Sequence, residues 1–343
     1  MQASGLPWLF LSPVARKIYD QDKSHHLKLT NGDVEQAEEI AILLIFQPNG
    51  LLDSTLHTLA HLRSQGISPL VVSNAPLSEN DRAKLLAYTW RIMERPNLGY
   101  DFGGYRDGIL HVLEAGLRLS RLFVLNDSIW FPLGDNSDLL DQARASDADV
   151  FGFVLNTSVR AKHRHHLQSY FFSFGVRLIS SADFKVFWQK LFLTNNKNLV
   201  VRRCEIPMTD TFRRRGYSIA SRHTYADAAQ ALKSLSNDTL QSVIAYQAKV
   251  DAKSATHLQR HLTSQTLDGA WRARVVHDID AGLFNKYFLI AHPAVLVGVL
   301  STPLLKKDRQ EIYRLQRSEL INGGFDAKFT SIIREEIRNW DQE

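Results

Sequence analysis

A single cysteine, Cys204, stands in a chain of 343 residues. One thiol cannot close an internal disulfide or build a cysteine-rich zinc site, so a disulfide scaffold is excluded and a reducing compartment fits. Long apolar runs are missing as well. The longest, Ala41 to Phe46 and Ile290 to Leu300, fall short of the ~20 residues that span a bilayer. The apolar start, Leu6 to Val14, is broken by Pro7 and Pro13 and has no basic stretch before it, so it reads as an arm and not as a leader. Charge of one sign is scarce too. The 41 Lys and Arg against 36 Asp and Glu leave +5, which suits acidic small ligands or an anionic surface. No recognisable nucleic-acid module accompanies it, and nucleic acid is not an expected partner. Internal repeats and low-complexity tracts are absent.

What is present is apolar content. At 44% hydrophobic over this length the chain exceeds what one core needs, so two domains, or one with a helical appendage, are expected. From residue 38 short apolar runs alternate with amphipathic stretches, as repeated β-α units on a mainly parallel sheet require. Ala41–Phe46 lacks polar alternation, the mark of a strand covered on both faces, and Pro48-Asn-Gly50 ends it. Leu52, Leu56, Leu59 and Leu62 recur at helical spacing before Gly66, and Leu70–Val72 resumes the sheet. Ser78 with Asp81 reads as a capping box opening a helix through Leu85 and Leu86. Trp90–Met93 is the third predicted strand, and Ile109, Val112, Leu113 and Gly116 form a helical stripe before Leu122–Leu125. Val150–Leu155 and Tyr170–Phe174 are further strands, residues 183–220 read as helices with a strand near Val200, and Gly323-Gly324 precedes a closing helix. The expected organisation is an arm over 1–37, an α/β core over 38–230 and a mostly helical region over 231–343.

Two segments carry chemistry. Arg95-Pro-Asn-Leu-Gly-Tyr-Asp-Phe-Gly-Gly-Tyr-Arg-Asp-Gly108 reads as a glycine-rich turn between strand and helix. Gly99, Gly103, Gly104 and Gly108 would let backbone approach a ligand, Asp101 would cap the helix, and its free N–H groups would favour phosphate. The spacing is not G-x-G-x-x-G, which argues against a dinucleotide site. The same residues also describe a tight βα turn in which Asn97 and Asp101 only satisfy backbone groups. Asn126-Asp127-Ser128 closes an apolar strand, so Asp127 projects from the carboxyl edge where open α/β sheets bind ligands. One such Asp can share Mg²⁺ or Mn²⁺ with substrate phosphates, although the triplet is also a common turn. The run from Arg160 through His163, His165 and His166, beside Gln168 and Tyr170, reads as a loop for an anionic substrate. Arg202-Arg203 and Arg213–Arg215 read as surface charge, with Glu205 and Asp210 nearby, and Cys204 as an inert thiol.

Taken in order, Val71–Asn74, Arg95–Gly108, Leu125–Ser128 with Pro132-Leu133, Phe151–Phe153, Leu167–Phe171, Phe184 with Phe187-Trp188, Glu205 with Thr209, Gly216-Tyr217, His292-Pro293 and Pro303–Lys306 resemble the rhamnan synthesis F family of bacterial polysaccharide assembly. The similarity covers most of residues 38–310. It departs at Phe131-Pro132, where the family commonly has Gly-Pro, and at Leu304-Leu305, where it usually has a Phe.

The resemblance implies a GT-A-like glycosyltransferase core. Such a core would move a deoxyhexose, rhamnose, from a nucleoside diphosphate sugar to a glycan or lipid-linked glycan acceptor at the cytoplasmic face of the inner membrane. It implies a donor pocket shaped by Asn74, Asn97, Gly99, Asp101, Gly104, Arg106, Asp107, His166, Gln168 and Lys306. Asp127 would meet Mg²⁺ or Mn²⁺, and Glu205, with Asp210 in reserve, would be the base. Arg106, Lys306 or the His163–His166 run could neutralise the leaving diphosphate without metal. The family's usual Asp-x-Asp is here Asn-Asp-Ser, one carboxylate where two are usual. A non-catalytic glycan-binding or assembly protein of the same fold is the alternative.

Overall fold

The computed structural model describes residues 14, 16–157, 164–282 and 288–342. Within them the apolar runs become strands: β1 (Lys28–Asn31), β2 (Glu39–Ile45), β3 (Ser68–Ser73), β4 (Arg91–Glu94), β5 (Arg121–Asn126), β6 (Ile129–Trp130), β7 (Val150–Asn156), β8 (His166–Leu167), β9 (Phe171–Gly175), β10 (Ile219–Thr224) and β11 (Leu305–Lys306). The main sheet has the order β1-β4-β3-β2-β5-β9-β7-β10, with β8 on β7. Its heart is parallel, β4-β3-β2-β5, and β1 and β9 flank it antiparallel. The protein is a mixed α/β structure built around this central sheet.

Residues divide into two compact units. The described residues within Met1–Ser128, Leu139–Leu155 and Ala161–Arg222 form one, and those within Ile129–Asp138, Asn156–Arg160 and His223–Glu343 form the other. The first unit holds helices α1 (Asp53–Ser64), α2 (Glu79–Leu86), α3 (Tyr100–Glu114), α4 (Leu139–Ala145), α5 (Ala182–Gln189) and α6 (Ile206–Arg214). The second is mostly helical, with α7 (Tyr225–Ser234), α8 (Asn237–Val250), α9 (Ala252–Leu262), α10 (Gly269–Asp280), α11 (Glu311–Asn322) and α12 (Ser331–Asn339), and a small β6-β11 ribbon.

Pleat explains the unbroken apolar character of β2. Ile40, Ile42 and Leu44 join a core cluster with Phe102, Tyr105 and Ile109 of α3, and with Phe172, Phe174 and Trp188. Ala41, Leu43 and Ile45 point to the opposite face and are equally buried. The Ser78 cap forms as read, its hydroxyl accepting from the Asp81 N–H at 3.0 Å. Among the described residues no helix is long and apolar enough to cross a membrane.

Three expectations are corrected. The arm is no bare arm: its residues 28–31 are an edge strand on β4, invisible as a strand because three of the four are exposed. The strand expected near Val200 is a helical turn, Lys197–Val200, running into a π-helix, Val201–Glu205; the strand of that region lies at Ile219–Thr224. Gly323-Gly324 does precede a closing helix, α12, as read. The glycine-rich segment is not a turn. Its helix starts at Tyr100 behind Gly99, which takes the left-handed φ of +82°, so Gly103, Gly104 and Gly108 lie inside α3.

Those helical glycines are packing devices. A Cβ on Gly103 would sit 1.9 Å from the Leu98 carbonyl oxygen, and one on Gly104 2.2 Å from Leu44 Cδ1. On Gly108 it would press Val72 and Ile42 at 3.0 and 3.1 Å. Without a side chain at Gly104 and Gly108 the helix lies close against Ile42 and Leu44 of β2 and Val72 of β3. Gly103→Ala, facing backbone that cannot swing away, should cost about 2 kcal/mol or more, whereas Gly269→Ala, with nothing within 4 Å, should be neutral or slightly stabilising. Urea midpoints of the two variants against the parent measure the difference.

The seam between α3 and β4 is pH-sensitive. Arg91 Nη1 donates to His111 Nε2 at 2.8 Å, which requires the ring's proton to be on Nδ1 or absent from the contact face. Burial, then the positive charges of Arg91 and Lys23, pushes His111 from 6.5 down to about 4. The unfolded chain therefore takes up this proton below about pH 6.5 while the folded chain refuses it until about 4. Stability is complete above that window and is lost as pH falls through it. His111→Gln should flatten the decline of thermal midpoint between pH 6.5 and 4, measured by circular dichroism.

Candidate functional site

The parallel strands create a switch point. From β2 the chain steps outward to β3 and β4, then returns to place β5 on the other side of β2, so the crevice at the carboxyl ends of β2 and β5 lies open between diverging connections. Residues directly after these strand ends build the site. Asp127 N–H donates to the Leu44 carbonyl at 2.9 Å, and Asp127 Oδ2 accepts from the Phe46 N–H at 2.8 Å and Gln47 Nε2 at 3.0 Å. Gln47 also donates to Thr55 Oγ1 at 2.8 Å and accepts from the Leu52 N–H at 2.9 Å, tying the carboxylate to the start of α1. The Phe46 ring, 51% exposed beside this carboxylate, is one of few large apolar groups left to solvent.

Asp101, in the first turn of α3, accepts from Asn126 Nδ2 at 3.0 Å. Asn126 Oδ1 in turn accepts from the Ser128 N–H at 3.2 Å and from its hydroxyl. A second carboxylate thus stands at the Asn-Asp-Ser segment, contributed by the helix and not by the strand end. Next to it Asn74, at the end of β3, donates to Asn97 Oδ1 at 3.0 Å and to the Tyr100 carbonyl at 3.2 Å.

The third carboxylate comes from far along the chain. Glu205 Oε1 accepts from the Ser169 N–H at 3.1 Å, while the Ser169 carbonyl accepts from the Tyr105 hydroxyl at 2.7 Å. Burial lifts the Tyr105 hydroxyl well above its usual value, and the negative charges of Asp101, Glu205 and Asp127 lift it further. One phenol therefore senses all three carboxylates and stays protonated as a hydrogen-bond donor. Among the described residues no three His, Cys, Asp or Glu are grouped to hold a metal by themselves.

Several expected residues are placed elsewhere. Arg106 and Asp107 are core groups: Asp107 is wholly buried, accepting from Arg95 Nε at 2.7 Å, Tyr19 hydroxyl at 2.6 Å and Arg106 Nη1 at 3.1 Å. Arg106 also donates to the Trp188 carbonyl at 3.1 Å and Asp20 at 2.7 Å. Their polar character suggested a ligand; their partners are the protein itself. Gly104 serves packing under Leu44 and Asn74. Asp210 pairs with Arg214 one turn along α6 at 2.9 Å. His166 sits in β8 with Nδ1 2.8 Å from the Arg164 carbonyl, and Gln168 accepts from the Tyr170 hydroxyl at 2.9 Å. Lys306 lies in β11 of the other unit, opposite Ile129. His163 lies outside the described residues. Cys204 is buried, its thiol pushed up to about 12 chiefly by that burial, an inert group.

Sequence reading passed over Phe46, Gln47, Tyr105 and the role of Arg95. The first two follow β2 directly, and in a parallel sheet that position is itself a signal. Arg95 holds the loop: besides Asp107 it donates from Nη1 to Asn74 Oδ1 and from Nη2 to the Leu98 carbonyl, both at 2.7 Å.

Fold and crevice define an α/β protein of the class that receives ligands at a sheet switch point. The chain belongs to the rhamnan synthesis protein F family, whose model matches residues 70–250. It is 35% identical over 342 residues to protein y4gN of Sinorhizobium fredii, spanning 100% of this chain and 89% of that one. Virulence protein VirA of Vibrio anguillarum is 28% identical over 135 residues, 38% of this chain and 41% of that one. Among solved structures, mannosyltransferase PcManGT from Pyrobaculum calidifontis, in complex with GDP-Man and Mn²⁺, is 10% identical at a TM-score of 0.35, covering 98% of this chain and 97% of that one. Residues 1–349 of S. aureus TarS with UDP-GlcNAc are 10% identical at 0.33, covering 89% and 88%. Likeness at those scores leaves the assignment to the family match and to y4gN.

Arg95 and Asp107 have fully buried side chains, and removing one partner leaves the other charge without compensation. Asp107→Ala should cost about 3–5 kcal/mol, read as a lowered denaturation midpoint, with Asp107→Asn intermediate.

Proposed function

We propose that this chain is a glycosyltransferase that moves a deoxyhexose, rhamnose, from a nucleoside diphosphate donor to a hydroxyl of a growing cell-surface glycan. The observation that carries the reading is that Asp101, bonded to Asn126, stands beside Asp127 at the switch-point crevice, with Glu205 tied to α3 through Ser169 and Tyr105. The family's description, rhamnan synthesis, supports rhamnose as the sugar.

In this reading the nucleobase stacks on the exposed Phe46 ring, and Asn97 and the backbone around Gly99 meet the donor. The donor set suits Mg²⁺ or Mn²⁺: hard carboxylate oxygens, few in number, with Asp127 oriented through its Oδ2 by two N–H donors. Asp127 and Asp101 would hold such an ion jointly with the donor's phosphates, where it neutralises charge on the departing diphosphate. For an inverting displacement Glu205 accepts the proton of the acceptor hydroxyl as the new bond to the anomeric carbon forms and the bond to the diphosphate oxygen breaks. The Ser169 N–H fixes its carboxylate, and the Tyr105–Ser169 bond fixes that turn against α3. The acceptor is a lipid-linked glycan met at the cytoplasmic membrane face.

Incubation with a panel of nucleoside diphosphate sugars, following diphosphate release with and without acceptor, tests this. Asp127→Ala should lower turnover by at least ~10²-fold, and Glu205→Gln by ~10²- to 10⁴-fold with donor binding retained. Phe46→Ala should weaken donor binding by about 1–3 kcal/mol. No binding and no turnover of any donor, with Mg²⁺, Mn²⁺ or chelator, would sink the proposal.

A further inference from the structure

The mostly helical unit holds a cavity of about 440 Å³ that the transfer site leaves unused, within the usual range of ligand pockets. Its wall is built from segments far apart in sequence. Leu133–Asp138 forms one side, Ser301–Pro303 another, and the stretch around Phe325 to Phe329 the third.

The wall is held in place before any ligand arrives. Leu133 N–H donates to the Pro303 carbonyl and the Thr330 N–H to the Leu133 carbonyl, both at 2.9 Å. Arg334 donates to the Ala327 and Phe329 carbonyls at 2.9 and 3.0 Å. Gly134 is required where the segments meet, since its Cβ would lie 2.6 Å from the Lys328 carbonyl oxygen. The Phe325 ring packs edge-on against His292, with centroids 6.2 Å apart. Pro303 of one late motif lines the cavity, and His292 of the other packs on its Phe325.

The lining is chemically mixed in a specific way. Asp135, Asn136, Ser137 and Asp138 put four hydrogen-bonding residues in succession in the lining, which also holds Leu133, Val297 and Phe325. Thr302 is 4% exposed, yet its hydroxyl has no partner among the described residues, and neither has the buried hydroxyl of Ser137. Buried hydroxyls without partners are rare, and two belong to residues of this wall. Ser301 beside Thr302 holds a φ of +46°, a backbone conformation that costs a non-glycine residue free energy and concentrates at ligand sites. Two carboxylates against the single Lys328 disfavour phosphate. Acceptors, hydroxyls and a phenyl ring together suit a neutral polyhydroxylated ring, with hydroxyls on its edge and C–H groups on its faces.

We propose that this cavity binds a neutral sugar residue. Its assignment as part of the acceptor glycan rests on the transferase reading above; the binding itself does not. Titration of the full chain with methyl α-L-rhamnopyranoside, and with the corresponding mannoside and glucoside, followed by saturation-transfer NMR, tests it. At least one glycoside should bind, and Asp135→Asn, Asn136→Ala and Phe325→Leu should each weaken it about tenfold, with thermal midpoints showing that the variants fold. Asp127→Ala and chelator should leave glycoside binding unchanged while abolishing donor binding. Absence of binding by every glycoside, binding indifferent to all three cavity variants, or displacement of the glycoside by a nucleoside diphosphate would overturn the proposal. Glycoside binding that responds to the cavity variants, in a chain that turns over no donor, would retain the cavity as a glycan site and remove the transferase reading alone.

Discussion

The buried pair of Arg95 and Asp107 is the constraint on which the crevice depends. Arg95 ends β4 and Asp107 lies two turns into α3, so their 2.7 Å contact locks the helix to the strand that precedes it. The remaining guanidinium donors are spent on Asn74 and the Leu98 carbonyl, which sets the Asn74 amide so that its Nδ2 faces Asn97 and Tyr100. With both ends of the Asn97–Tyr100 bend tied, Gly99 supplies the left-handed conformation that starts the helix, and Asp101 is delivered to Asn126. A charge pair this deep contributes little net stability over an apolar substitute. What it does here is select one geometry for a polar loop that has few apolar contacts of its own.

The same helix shows why a residue pattern was legible in kind and misread in place. Uninterrupted apolar runs such as Ile40–Ile45 and Leu122–Leu125 identify central strands because burial on both faces removes alternation. Glycines are more ambiguous. At Gly103, Gly104 and Gly108 the demand is for lack of volume under a helix, yet in sequence that demand looks the same as the demand for backbone freedom in a turn. Arg106 and Asp107 raised a parallel ambiguity, since a charged residue inside a site motif and one inside a buried ion network are written with the same letters. Only tertiary partners, Tyr19, Asp20 and Trp188, separate the two.

Edge elements were the least legible for a different reason. Lys28–Asn31 pairs with β4 through backbone and a Lys28–Glu94 ion pair at 3.5 Å and buries almost nothing, so no hydrophobic period marks it. Ile129–Asp138, inside the stretch expected as α/β core, groups with the other unit, where Leu133 bonds to Pro303 and Thr330, and nothing local marks this. Glu205, by contrast, was expected as a base from the family resemblance, while its connection to α3 through Ser169 and Tyr105 spans 100 residues and had no sequence signal.

The strand-end triplet with one carboxylate looks deficient only if a site must be written in consecutive residues. Asn126 keeps the position of the missing acid but acts as a donor, and what it donates to is Asp101. Replacing Asn126 by Asp would set two like charges about 3 Å apart with no donor between them, and one would have to take up a proton. The Asn therefore fits a carboxylate arriving from α3, and an Asp would not. Where the second acid comes from the helix, its position is governed by Gly99, Asn74 and Arg95, so the unusual triplet and the glycine-rich segment are two halves of one solution. That coupling also explains why the polar bend between β4 and α3 is tied at so many points: a shift of the helix start would move one carboxylate and leave the other behind.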